Sequence, residues 1–232
     1  MTAAVQSWRA VALLAALAPG LAGAAWPTLE APPQSRVEWV GEDMRLNGVA
    51  MKVQRFEVEA SVGAVLAFYR GRWGTRAEGR SIENELGKWT VIGQEQNGYY
   101  LTVQVRPLGP HRSEGLLAVS ELPKLRATPN PGADFPKLGG TQMISELESN
   151  DQGKRARTLV MRNDFSVQSN VDFYQGALAA DGWEPAAGFG GATPDGAGQT
   201  HAWRRAGEEL QLAVAADRGG ATIVVNIVNL GE

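Results

Sequence analysis

Alternating apolar positions and apolar positions spaced three and four apart divide the chain into strands and two helices. Residues 36–45 and 51–59 are extended runs around Asn47-Gly48, a dipeptide whose members both tolerate positive φ, so they predict a hairpin. Val62, Val65, Leu66, Tyr69 and Trp73 then recur at helical spacing behind Ser61, whose hydroxyl can accept from the open N–H groups of a first turn. A meander follows. Residues 89–96 and 99–106 flank Asn97-Gly98, with Tyr99, Leu101, Val103 and Val105 on one face, and residues 116–122 supply a further strand.

The same order begins again downstream. Residues 142–149 and 157–164 flank the turn from Asn150 to Gly153; Ser166 heads an apolar stripe of Val167, Val171, Tyr174 and Leu178, and Gly182-Trp183 ends it. Asn170 stands where the first helix has Val65, which predicts looser packing of the second. Strands are expected over 201–205, 208–215 and 222–230, the last with Ile223, Val225 and Ile227 on one side and Val224 and Val228 on the other. A strand apolar on both faces is usually covered on both, so it is expected at a junction between the copies or under another chain. Residues 188–198, dense in glycine, read as a flexible loop.

Laid on itself with a shift of 105 residues, the chain pairs Ser61-Val62 with Ser166-Val167, Phe68-Tyr69 with Phe173-Tyr174 and Gly71 with Gly176. Farther on the shift becomes 109, matching Gly98 to Gly207 and Leu101 to Leu210. The expectation is therefore an α+β fold of two tandem β-β-α-β-β-β repeats, each an antiparallel sheet with one helix packed across it. Its boundaries are an export signal over 1–24, an irregular lead-in over 25–35, repeat 1 over 36–122, a Pro/Gly-rich linker over 123–141 and repeat 2 over 142–232.

The signal reading rests on Arg9, the apolar stretch 10–18, Pro19-Gly20 and the small residues Ala22-Gly23-Ala24. It predicts a periplasmic or secreted protein, with no membrane span once the signal is removed. The absence of cysteine means that neither disulfides nor a lipid-bearing thiol hold the chain. With 22 basic against 25 acidic residues there is no broad positive field, which argues against nucleic acid as a partner.

Phe68-Tyr69-Arg70 and the run from Phe173-Tyr174 to Gly182-Trp183 resemble the "FYR…L…GW" pattern of uncharacterised exported bacterial proteins. This resemblance implies a helix packed on a sheet and carries no activity. Trp73-Gly74 and Gln175 depart from the pattern.

Candidate chemistry is sparse. His111 and His201 have no metal-ligand spacing, and Asp164, Ser166 and His201 lack the elbow of a serine hydrolase, Ser166 being accounted for as a cap. No cofactor or metal is expected, and no enzymatic activity. Lys154-Arg155 with Arg157, and Arg204-Arg205, flank turns and read first as edge-protecting charges, second as an anion site. The aromatics Trp89, Tyr100 and Trp203, with Val224 and Val228, are the candidate partner- or ligand-binding positions. The sequence thus predicts a protein that works through contacts with another envelope or secreted protein, as an accessory of an envelope assembly or secretion system. The alternative is a small-ligand or glycan binder using the groove between the repeats.

Overall fold

The computed structural model describes residues 26–74, 81–122, 130–151 and 153–230, so the expected export signal lies outside the described residues, as does the first part of the expected linker. Six strands belong to the first half: β1 (Arg36–Leu46), β2 (Val49–Val58), β3 (Ile82–Leu86), β4 (Trp89–Gln96), β5 (Tyr99–Gly109) and β6 (Arg112–Glu121), with helix α1 (Val62–Trp73) after β2. The second half repeats the order: β7 (Gln142–Asp151), β8 (Lys154–Asn163), helix α2 (Val167–Ala180), β9 (Glu184–Ala192), β10 (Gly198–Arg205), β11 (Glu208–Asp217) and β12 (Gly220–Asn229).

All twelve strands form one sheet in the order β3-β4-β5-β6-β2-β1-β7-β8-β12-β11-β10-β9. This corrects the α+β reading. The molecule is nearly all sheet, with two helices of 12 and 14 residues set on a single antiparallel surface in place of two separate helix-on-sheet units. The cause is edge chemistry: β1 and β7 would each leave a row of open backbone groups, and pairing them with each other removes part of both edges. Met44, Arg45 and Leu46 lie opposite Ser149, Glu148 and Leu147. Beyond them the Asn47 N–H donates to the Glu146 carbonyl at 2.7 Å, and the Glu146 N–H donates to Asn47 Oδ1 at 2.8 Å.

Two strands escaped the sequence reading. β3 is short and polar, and β9 takes in residues 188–192 of the segment read as a flexible loop. β9 is an edge strand whose Gly190 approaches the β10 backbone so closely that a Cβ there would sit 2.8 Å from the Thr200 carbonyl oxygen. Glycine thus permits this strand instead of preventing it. Of the two places expected for β12, the junction between the copies is overturned: β12 runs between β8 and β11, and the halves join at β1 and β7.

Antiparallel pairing of corresponding strands in one sheet relates the halves by an approximate two-fold axis normal to it, which leaves both helices on the same face. The registers agree. Alternation from the buried Leu101 and Val103 passes through Leu117, Phe56, Arg45, Glu148 and Arg157 to Ile227 and Leu210 without changing face. Each helix covers its own core. Val65, Leu66 and Tyr69 meet Ile92, Leu101, Val103 and Leu117 under α1. Val171, Tyr174 and Leu178 meet Leu159, Leu210, Leu212 and Ile223 under α2. Ser61 and Ser166 cap the helices, accepting from the N–H groups of Ala64 at 3.3 Å and Ser169 at 3.0 Å.

The segments read as lead-in and linker are built into these cores. Leu29 is buried and the Tyr69 hydroxyl donates to the Glu30 carbonyl at 2.9 Å, while Phe135 stacks on Tyr174 at 5.7 Å between ring centroids. Burial pushes both phenol pKa values well above the ordinary range.

Asn170 does not loosen the second half, contrary to expectation. Its side chain is fully buried and exchanges amide hydrogen bonds with buried Asn163, at 2.7 and 3.0 Å, while its Nδ2 also donates to the Ser166 carbonyl at 2.9 Å. At the shift of 105 residues, the first half places Val58 and Val65 at these positions, both buried. One pair of sites is therefore filled by two valines or by two mutually satisfied amides. Asn170→Val alone removes two of the hydrogen bonds of Asn163, which keeps the Thr141 hydroxyl and the Phe165 N–H, and is expected to cost about 1 kcal/mol, whereas Asn163→Val/Asn170→Val should cost clearly less than the two single changes together. A double-mutant cycle by denaturant unfolding measures this; strict additivity would show that the amides are not coupled.

Candidate functional site

Four of the five predicted contact residues share one surface. Trp89, Tyr100, Val224 and Val228 all point to the face without helices, as alternation from the buried Ile92, Leu101 and Val225 and the half-buried Ile227 requires. Tyr100 is 39% exposed, and the two valines are half-buried. Trp203 does not join them. It lies opposite Leu210 on the helix side, 3% exposed in the core under α2, so it is a packing residue and offers no surface to a partner.

Near the junction of the halves the helix-free face is apolar. Met44 and Val53 are buried there, Met51, Leu147, Val160 and Leu116 are half-buried, and Leu46 is 41% exposed. Gly41 makes this packing possible, since a Cβ at that position would lie 2.5 Å from Met44 Sδ. Toward β4 the face turns charged. Glu114, its side chain 6% exposed, accepts from Arg55 Nη2 at 2.8 Å and from Arg106, and the Arg106 guanidinium stands 4.7 Å from the centre of the Trp89 ring. Arg55 also donates to Glu38 at 2.9 Å and Glu57 at 2.7 Å. The hydrogen bonds from Arg55, joined by those from Arg106, hold the Glu114 carboxyl below the usual carboxylate range.

The helix face has a different feature at the same junction. A cleft of about 460 Å³ is floored by β1, β7, β8 and the end of β12, and walled by Asp134, Trp183 and the β10–β11 turn. Two rows cross its floor: Arg45, Glu148, Arg157 and Ile227 in register, and Asn150 beside Arg155. Arg157 is committed, donating to Asp134 at 2.9 and 2.6 Å and to Glu146; this pairing holds the Asp134 carboxyl below its ordinary value. Arg205 pairs with Glu208 at 3.1 Å and lies 4.4 Å over the Trp183 ring, so this 5%-exposed indole offers no free stacking face to a sugar.

The remaining candidates stay apart. His201 hydrogen-bonds Gln199 at 3.3 Å and leans on Trp203, Ser166 is occupied by its cap, and no hydrogen bond among the described residues joins them to Asp164. Among the described residues no group of His, Asp and Glu is placed to hold a metal ion, and no helix is long and apolar enough to cross a membrane. Comparison with known proteins found no matching family model, no similar curated protein and no similar solved structure.

The Glu114 cluster gives a pH prediction. A carboxyl whose folded-state pKa is lowered contributes stability above the unfolded value, near pH 4, and loses it as the pH falls through the folded value. Glu114→Gln should therefore melt below the parent at pH 7, and the two melting temperatures should converge at about pH 2. A gap that persists unchanged at low pH would show that Glu114 is not acting through its charge.

Proposed function

We propose that this is an exported protein that acts by non-covalent contact with another protein, docked on the helix-free face of the sheet. The observation that carries the reading is the apolar character of that face across the junction, from Leu116 and Met51 through Leu46 and Leu147 to Val160 and Val224. A face left to water in an antiparallel sheet is ordinarily polar at these positions. Twelve strands about 4.8 Å apart make it roughly 55 Å wide, ample for the about 800 Å² that each partner commits to a standard interface. Tyr100 at its charged end supplies the amphipathic aromatic that such interfaces favour, and the Arg55 and Arg112 clusters supply a polar rim. The role as an accessory of an envelope assembly or secretion system belongs to the same reading and rests on the N-terminal sequence.

Photo-crosslinking in the producing cell tests this directly. A photoreactive residue at Val224, Val228 or Tyr100 should give one discrete protein adduct, and the same probe at exposed Ala180 on α2 should not. Adducts of equal yield from both faces, or none from the helix-free face, would overturn the assignment.

A further inference from the structure

The cleft on the opposite face carries a second and independent inference. Most arginines of the described chain are tied into salt bridges, such as Arg55, Arg70, Arg106, Arg157 and Arg205. Among the described residues Arg45 and Arg155 have no such partner, although both line this cleft, and Glu148 beside them has no hydrogen bond or salt bridge there either. The other acids of the cleft have partners: Asp43 accepts from Asn150 at 3.2 Å, Asp134 from Arg157 and Glu208 from Arg205. What the cleft leaves uncommitted is therefore two guanidinium groups and one carboxylate.

Their placement is set by the junction. Arg45 comes from the first half and lies directly opposite Glu148; Arg155 comes from the second, one strand beyond and opposite Asn150. Strand spacing and rise put the Cα atoms of Arg45 and Arg155 roughly 12 Å apart, within reach of two arginine side chains converging above β7, with Glu148 between them. Guanidinium forks pair with carboxylates, and once the two forks are occupied by the carboxylates of a ligand, the Glu148 carboxylate is left to accept from an ammonium.

We propose that this cleft binds a small zwitterion bearing two carboxylates and one ammonium, an α-amino dicarboxylate. One carboxylate pairs with Arg45, the other with Arg155, and the ammonium sits on Glu148. Residues of both halves are needed, so the site exists only where β1 meets β7. The basic cluster of Lys154-Arg155 and Arg157 thereby divides into Arg157, which braces Asp134 and Glu146, and Arg155, which is free to bind.

The test is calorimetric titration of the full chain with L-glutamate, glutarate, which lacks the ammonium, and L-glutamine, which lacks the second carboxylate. Glutamate should bind at least about fivefold more tightly than either, because each analogue leaves one charged group unpaired. Glu148→Gln should erase the preference for glutamate over glutarate, a ratio that a partly unfolded sample does not alter. Arg45→Gln and Arg155→Gln should each weaken glutamate about tenfold, the loss of one charge-assisted pair, while Arg218→Gln on the β11–β12 turn leaves it unchanged. The proposal is overturned if none of the three ligands saturates, if glutarate equals glutamate with the parent protein, or if the two cleft arginine variants behave like Arg218→Gln.

Discussion

The pairing of β1 with β7 is the constraint from which the other features follow. Three residue pairs and the exchange between Asn47 and Glu146 turn two six-stranded sheets into one of twelve. Because the paired strands correspond, the halves are related by rotation about the sheet normal, and both helices must fall on one side. The opposite side is then left without helices along its whole width. The same pairing decides what each face carries at the junction. On the helix side the two cores stop short of it, and Arg45, Glu148 and Arg157 fill the gap with charge. On the other side Met44, Leu46 and Leu147 fill it with apolar surface.

Within this common frame the halves solve equivalent packing problems differently. Phe56 lies beside Gly115, where a Cβ would stand 2.4 Å from the ring, and at the corresponding pair Met161 lies beside Ile223: a large and an absent side chain in one, two of middling size in the other. The buried valines of the first half are matched by hydrogen-bonded asparagines in the second, and the charged Arg55 of the helix-free face by Val160. The fold has kept volume and hydrogen-bond satisfaction while changing chemistry. The helix-free face is consequently charged at one end and aliphatic toward the other.

Local chemistry was legible in the sequence where one residue type determines the geometry. Asn47-Gly48 and Asn97-Gly98 turn with positive φ at both positions, and the two serines cap their helices. The alternation in β5 and β12 likewise gave the faces of Tyr100 and Val224. Three things were hidden. Pairing between β1 and β7 depends on two edges remote in sequence, and no periodicity within either strand encodes it. β9 has glycine where strands usually have side chains, so an edge held by backbone contact looked like a loop. Trp203 and Tyr100 are both strand aromatics, and only the register against Leu210 separates a core residue from a surface one. The cleft was reachable solely as three charged residues near turns, since their convergence is a property of the junction.

The proposed function belongs to the fused sheet and to neither half alone: the proposed docking face is continuous only across β1 and β7, and the cleft draws Arg45 from one side and Arg155 from the other. Native-state hydrogen exchange at the Asn47 and Glu146 amides examines that fusion most directly. The account predicts that these two amides are protected as strongly as those in the cores of β5 and β11, opening only when the whole sheet unfolds. Exchange as fast as that of the outer edge of β9, with both cores still protected, would mean that the halves separate freely, and would contradict it.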